Sequence, residues 1–150
     1  MARSVARTAA MQMIYERLSG GDGNDDSLRM IYDELRDEQK LPVKDEDPGI
    51  NDRAFITRLL EGVLSRLDEI DQTINSFSHR WTVDRMPRVD LTILRLAVWE
   101  ILFENDPEIP PEVVVAEAVE MAKQYSEEES SRFINGVLGA IVRSDRNNHA

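Results

Sequence analysis

The chain has 150 residues, 41% apolar and 31% charged, with a formal net charge of −11 and no cysteine. That size fits one domain with a real core, and the missing cysteines exclude a disulfide frame and thiolate chemistry, which fits a cytoplasmic protein. The negative balance excludes coating of nucleic acid through a general positive field, and no stretch approaches the roughly 18 apolar residues of a membrane span.

In chain order the periodicity predicts helices, an all-α protein with no segment that reads firmly as a strand. Arg3 and Arg7 open directly into an amphipathic pattern rather than an apolar leader. Ala6, Ala10, Met13, Ile14 and Leu18 give this first helix its apolar face, and "SGGDG" ends it. Ser27 is placed to cap a second helix carrying Leu28, Ile31, Tyr32 and Leu35, stopped before Pro42. "LPVKDEDPG" reads as a linker, with Asn51 as the next N-cap.

Beyond it Ile56, Leu60, Val63, Leu67, Ile70, Ile74 and Phe77 step by four and three, a heptad seam. Packing within a compact bundle favours two helices meeting near Ser65 to Asp68 over one long rod. "SHRWTVDRMPRVD" is a junction in which Pro87 stops any helix at Met86. "RVDLTILRLAVWEILFE" is apolar nearly all round and belongs at the centre of the fold. Pro110 and Pro111 suit the first turn of a helix bearing Val115, Ala118, Val119 and Ala122. Ser126 with Glu129 has the spacing of a capping box for the last helix, and the tail "RSDRNNHA" looks frayed.

The last helix contains "SSRFINGVLGAIV", in which Asn135–Gly136 is a hairpin signal inside a helical apolar repeat. Each helical glycine costs about 1 kcal/mol relative to alanine. Gly136 and Gly139 are therefore expected to admit a closely approaching backbone, with Asn135 bonding to that neighbour.

Enzyme constellations are not assembled. His79 stands alone in a junction and His149 in the tail, and no Gly-rich phosphate loop or Ser–His–Asp set is visible. "DGNDDSLRMIYD" mimics a calcium loop, but Ser27 stands where the turn glycine belongs and Asp33 where the bidentate glutamate belongs.

Charge is unevenly spread. Residues 1–15 and 130–144 hold no acid, while Arg3, Arg7, Arg132 and Arg143 lie within them. A polyanion site is therefore expected to be local, built where the two chain ends meet. Single-stranded RNA needs cations for its backbone and a ring or guanidinium plane for a base. Arg3 and Arg7, one turn apart without acidic i±3 or i±4 neighbours, supply charge; Arg132 and Phe133 supply the cation and ring, and Tyr15 is a candidate helper.

These blocks carry a resemblance. "ARTAAMQMIY", "RVDLTILRLAVWEI", "IPPEVVVAEAVEMAKQYS" and "SSRFINGVL" resemble, in order and spacing, the transcription antitermination factor NusB family over nearly the whole chain. The resemblance implies an all-α fold of about seven helices in two packed subdomains, near 1–80 and 81–145 of a single 1–150 domain. It implies a non-enzymatic, cofactor-free adaptor that binds boxA RNA in ribosomal RNA leaders with NusE, a small-subunit ribosomal protein. The implied assembly includes RNA polymerase and other Nus factors, and homodimers are left open.

The resemblance carries RNA contact to Arg3, Arg7, Gln12, Tyr15, Arg132 and Phe133, although Ser4 and Val5 stand at places often basic. It carries NusE docking to Asp90 with Arg88 beside it; Arg95, Glu100 and Glu117 are read as structural ions. Two other readings compete. One is a protein-binding helical scaffold with little RNA affinity. The other is the accessory module of a ribosomal RNA cytosine methyltransferase, whose cofactor loop and catalytic cysteine this sequence lacks.

Overall fold

A computed structural model describes residues 2–21, 30 and 50–148. Among them are six α-helices and no strand: α1 (Ala2–Leu18), α2 (Ile50–Ser65), α3 (Leu67–Phe77), α4 (Arg88–Trp99), α5 (Pro111–Tyr125) and α6 (Glu128–Asn148). The all-α expectation holds. The second helix expected from Ser27, the acidic linker and the calcium-like loop fall within 22–49, outside the described residues apart from Met30. No helix among the described residues is long and apolar enough to cross a membrane.

The chain divides into two compact units, residues 1–61 and 62–150. The division falls between Glu61 and Gly62, and α3 belongs with the second unit. Its Asp71 takes a bidentate pair from Arg95 of α4, both bonds at 2.8 Å. In the first unit, Val5, Ala6, Ala9, Ala10 and Ile14 of α1 and Phe55, Ile56, Leu59 and Leu60 of α2 are buried. α2 starts at Ile50, so Asn51 lies inside its first turn rather than capping it.

The heptad seam breaks where packing required. Arg66, with φ −121° and ψ 21°, leaves helical geometry between α2 and α3. Its guanidinium lies 5.0 Å over the Phe103 ring and also pairs with Glu69 at 3.2 Å. Ile70 and Ile74 of α3 are fully buried, which continues the seam's apolar line across the break.

α4 is the centre of the second unit, with nine of its twelve residues buried. Gly62, the first residue of this unit, lies directly against Trp99. A Cβ on Gly62 would stand 2.1 Å from the Trp99 indole, closer than any side-chain contact permits. Past Trp99 the chain widens into a π-helical turn, Glu100–Glu104, closed by a bond from the Asn105 N–H to the Glu100 carbonyl at 3.0 Å. Asn105 leaves the turn with φ 45°, a left-handed conformation that asparagine tolerates.

Pro111 opens α5 with Pro110 before it, as the double proline suggested. α5 and α6 pack extensively as neighbours, and Arg146 reaches Glu112 across the pair. The tail expected to fray continues as helix to Asn148. The capping box is also corrected. The Ser126 hydroxyl donates 2.7 Å to Asp90 Oδ1, across to α4, rather than accepting from the first amides of α6. Gly136 and Gly139 likewise admit no neighbour. Gly136 is exposed with open space where its Cβ would stand, and Gly139 would meet only the Arg143 side chain.

Candidate nucleic-acid interface

The sequence-predicted residues lie in both units, each described in turn. On α1, Arg3 is helical, but its side chain lies outside the described set. Gln12 is half-buried and Tyr15 is 36% exposed, three residues apart on one helix face. Arg7 corrects the expectation of a cation projecting into solvent. It is 3% exposed, because α1 is buried nearly all round from Val5 to Met11. Its guanidinium lies 5.5 Å from the centre of the Phe55 ring, with Arg58 at 5.7 Å from the same ring. A planar, weakly hydrated cation tolerates such a site by stacking. Arg7 therefore anchors helix packing.

The partner-docking expectation at Asp90 is corrected too. Asp90 has no exposed surface. It receives 2.7 Å bonds from Ser126 on Oδ1 and from Ser130 on Oδ2, in the first turn of α4. The carboxylate thus faces the positive end of its own helix and two hydroxyl donors, a satisfied buried anion. Its place ties the α5–α6 corner to α4. Arg88, two residues earlier, is exposed.

In the second unit the structure joins Arg132 and Phe133 to residues that sequence reasoning passed over. Phe133 is half-buried, and its ring meets Trp81 edge-on, centroids 5.0 Å apart at 74°. The Arg80 guanidinium lies 4.2 Å from the centre of the Trp81 ring. Arg132 is exposed and 3.5 Å from Glu128; Arg80 is 3.8 Å from Glu129. Such exposed pairs are worth little in water, so either arginine can exchange its carboxylate for another anion.

The connector that carries Trp81 is held on both sides. The Ser78 hydroxyl donates to the Trp81 carbonyl and accepts from its N–H at 3.4 Å. Asn75 Oδ1 accepts the Val83 N–H at 2.8 Å, and a short 3-10 turn, Val83–Arg85, follows. Asp84 accepts a 2.6 Å bond from the Thr82 hydroxyl. That bond, its own backbone N–H and the neighbouring Arg85 hold its carboxyl below the usual carboxylate range, so it stays ionised at neutral pH. The available signal was a tryptophan set among His79, Arg80 and Arg85 in a segment without regular periodicity.

Fold and surface together define a class: an all-α protein bearing a small surface of exposed arginines and half-buried rings. A sequence model of the NusB family matches residues 4–143, and the chain belongs to that family. It is 39% identical to the transcription antitermination protein NusB of Acetivibrio thermocellus, covering 95% of this chain and 90% of that one. Among solved structures it is similar to T. maritima NusB, with a TM-score of 0.71 and 32% identity over 94% of this chain and 90% of that one. It is also similar to a chain from a crystal structure of antitermination factors NusB and NusE in complex with dsRNA. There the TM-score is 0.68 and identity 27%, over 95% of this chain and 97% of that one.

Proposed function

We propose that this protein is a non-enzymatic antitermination factor of the cytoplasm that binds boxA-type single-stranded leader RNA of ribosomal RNA operons together with a NusE ribosomal protein. The observation that carries the reading is exposed Arg132 beside the half-buried Phe133 ring, in a helix free of acid from 130 to 144. Cation and ring are what a splayed-out base and its phosphate require. Arg3, Gln12 and Tyr15 on α1 are the proposed RNA contacts of the first unit, and exposed Arg88 marks the proposed NusE-docking start of α4. RNA polymerase and other Nus factors complete the proposed assembly. The family relative solved with NusE and dsRNA supports the NusE and RNA parts of this reading.

A second reading, a protein-binding scaffold with little RNA affinity, draws support from the burial of Arg7 and the pairing of Arg132 with Glu128. Fluorescence anisotropy with labelled boxA-type RNA, with and without NusE, separates the two. RNA binding by wild type, weakened about tenfold by Phe133→Leu and made less salt-dependent by Arg132→Gln, supports the first reading. Equal binding by wild type and both folded variants refutes the site, and no binding even with NusE supports the scaffold.

A further inference from the structure

We propose that Arg80 and Trp81, in the connector between α3 and α4, form with Phe133 a stacking site for one unpaired RNA base, in which Arg80 supplies both a planar surface and a phosphate contact. The proposal rests on the RNA-binding reading above and extends it to a segment outside the two acid-free chain ends. It stands on four observations, all within the second unit.

The first is the geometry of the rings. Trp81 and Phe133 come from different elements, yet their rings meet at 74°, and neither is fully buried. An edge-on aromatic pair serves the core well when sealed. Here both residues keep accessible surface, so the pair is not sealed in the core and a base can reach it.

The second is the guanidinium. The Arg80 guanidinium carbon stands over the Trp81 ring, 4.2 Å from its centroid, while 54% of the Arg80 side chain is exposed. A guanidinium stacked on a ring and open on its far side extends the stack by one more plane. A base can lie against that plane, and the fork of N–H donors at its rim reaches the adjoining phosphate.

The third is local charge. On a chain of net charge −11, the segment 79–89 holds Arg80, Arg85 and Arg88, all exposed, against the single carboxylate of Asp84. Arg132 adds a cation next to Phe133. Glu128 and Glu129 stand 3.5 Å from Arg132 and 3.8 Å from Arg80, with 82% and 71% of their side chains exposed. These loose pairs hold the cations in place in the free protein and release them to a phosphate with little loss.

The fourth is support. The Trp81 backbone is bracketed by the Ser78 hydroxyl, and the Val83 N–H is held by Asn75 Oδ1. The ring is therefore carried on a fixed connector. A merely structural aromatic pair needs neither the stacked, open arginine nor the surrounding cations.

The chain contains two tryptophans, and Trp99 is only 8% exposed. Intrinsic emission is the sum of the two, so a quench on RNA binding that is present in wild type and lost in Trp81→Phe belongs to Trp81. The test uses the full chain with boxA-type single-stranded RNA, reading anisotropy and tryptophan emission for wild type, Trp81→Leu, Trp81→Phe, Arg80→Gln and Phe133→Leu.

Trp81→Leu should weaken binding about tenfold, while Trp81→Phe keeps most of the affinity but loses the quench. Arg80→Gln should make the log–log salt dependence shallower by about 0.7, the contribution of one single-strand phosphate contact. If Trp81→Leu fails to fold, the wild-type quench, Trp81→Phe and Arg80→Gln decide the matter. Weakened binding by Phe133→Leu alone, with no quench and normal Arg80→Gln, overturns this proposal and leaves the RNA reading standing. No RNA binding by wild type overturns both. Loss of NusE docking with RNA binding intact makes the connector a protein-docking surface and overturns the stacking site.

Discussion

Replacing Asp90 separates a buried structural anion from a surface docking residue. Asp90→Ala removes two bonds of 2.7 Å, from Ser126 and from Ser130. Hydrogen bonds to a charged group contribute about 1.5–3 kcal/mol each, roughly 3–6 kcal/mol for the two. Two effects oppose that loss. The serine hydroxyls stand 2.9 Å apart and can bond each other, recovering about 1 kcal/mol. Removing the carboxylate also removes the cost of keeping a charge out of water.

The expected net loss is about 2–4 kcal/mol, or a melting temperature lower by about 5–15 °C for a chain of this length. Asp90→Asn keeps the volume and one acceptor, and should lose roughly half as much. Urea unfolding monitored by circular dichroism measures both. A surface docking residue gives changes within about 0.5 kcal/mol. An Asp90→Ala protein that unfolds with the wild-type curve would refute the buried role.

Two further substitutions test the helix packing. Gly62→Ala gains about 1 kcal/mol of helix propensity but drives a methyl into the Trp99 indole, and should destabilise by about 1–3 kcal/mol net; Trp99→Leu in the same chain should remove much of the penalty, and additive effects in a double-mutant cycle would refute the contact. Gly136→Ala meets nothing within 4 Å and should raise stability by about 0.5–1 kcal/mol in thermal unfolding, whereas a loss would show a neighbour packed on it.

Local rules carried furthest where packing followed the chain's own periodicity. The break at Arg66 was readable because a seam of threes and fours cannot run straight through a compact bundle. The central place of α4 was readable because it has almost no polar face. Ser126 shows where such reading stops. Its spacing to Glu129 matches a local cap, but its hydroxyl answers to Asp90 on another helix, and no local pattern encodes that competition.

Arg7 and Phe55 make the same point from the other side. Charge alone marks Arg7 as a cation for a polyanion, whereas the buried environment of α1 makes it a packing residue. The glycines show the complementary case. Gly136 drew notice through the Asn-Gly pair and lies in open space, while Gly62, inside the apolar seam, is where a helix makes its close approach. In the candidate site, Phe133 was legible from its arginine neighbour. Trp81 was not, because only the fold brings the connector against α6.

The Ser78 bracket around Trp81 has a consequence for recognition. An aromatic side chain on a wandering loop must surrender motion when a ligand captures it, and that surrender weakens the complex. Here the main chain at Trp81 has already lost that freedom during folding, through one hydroxyl that both gives and takes a hydrogen bond. The entropic cost falls on protein stability instead of on association, so an incoming planar group meets a receptor whose shape precedes it.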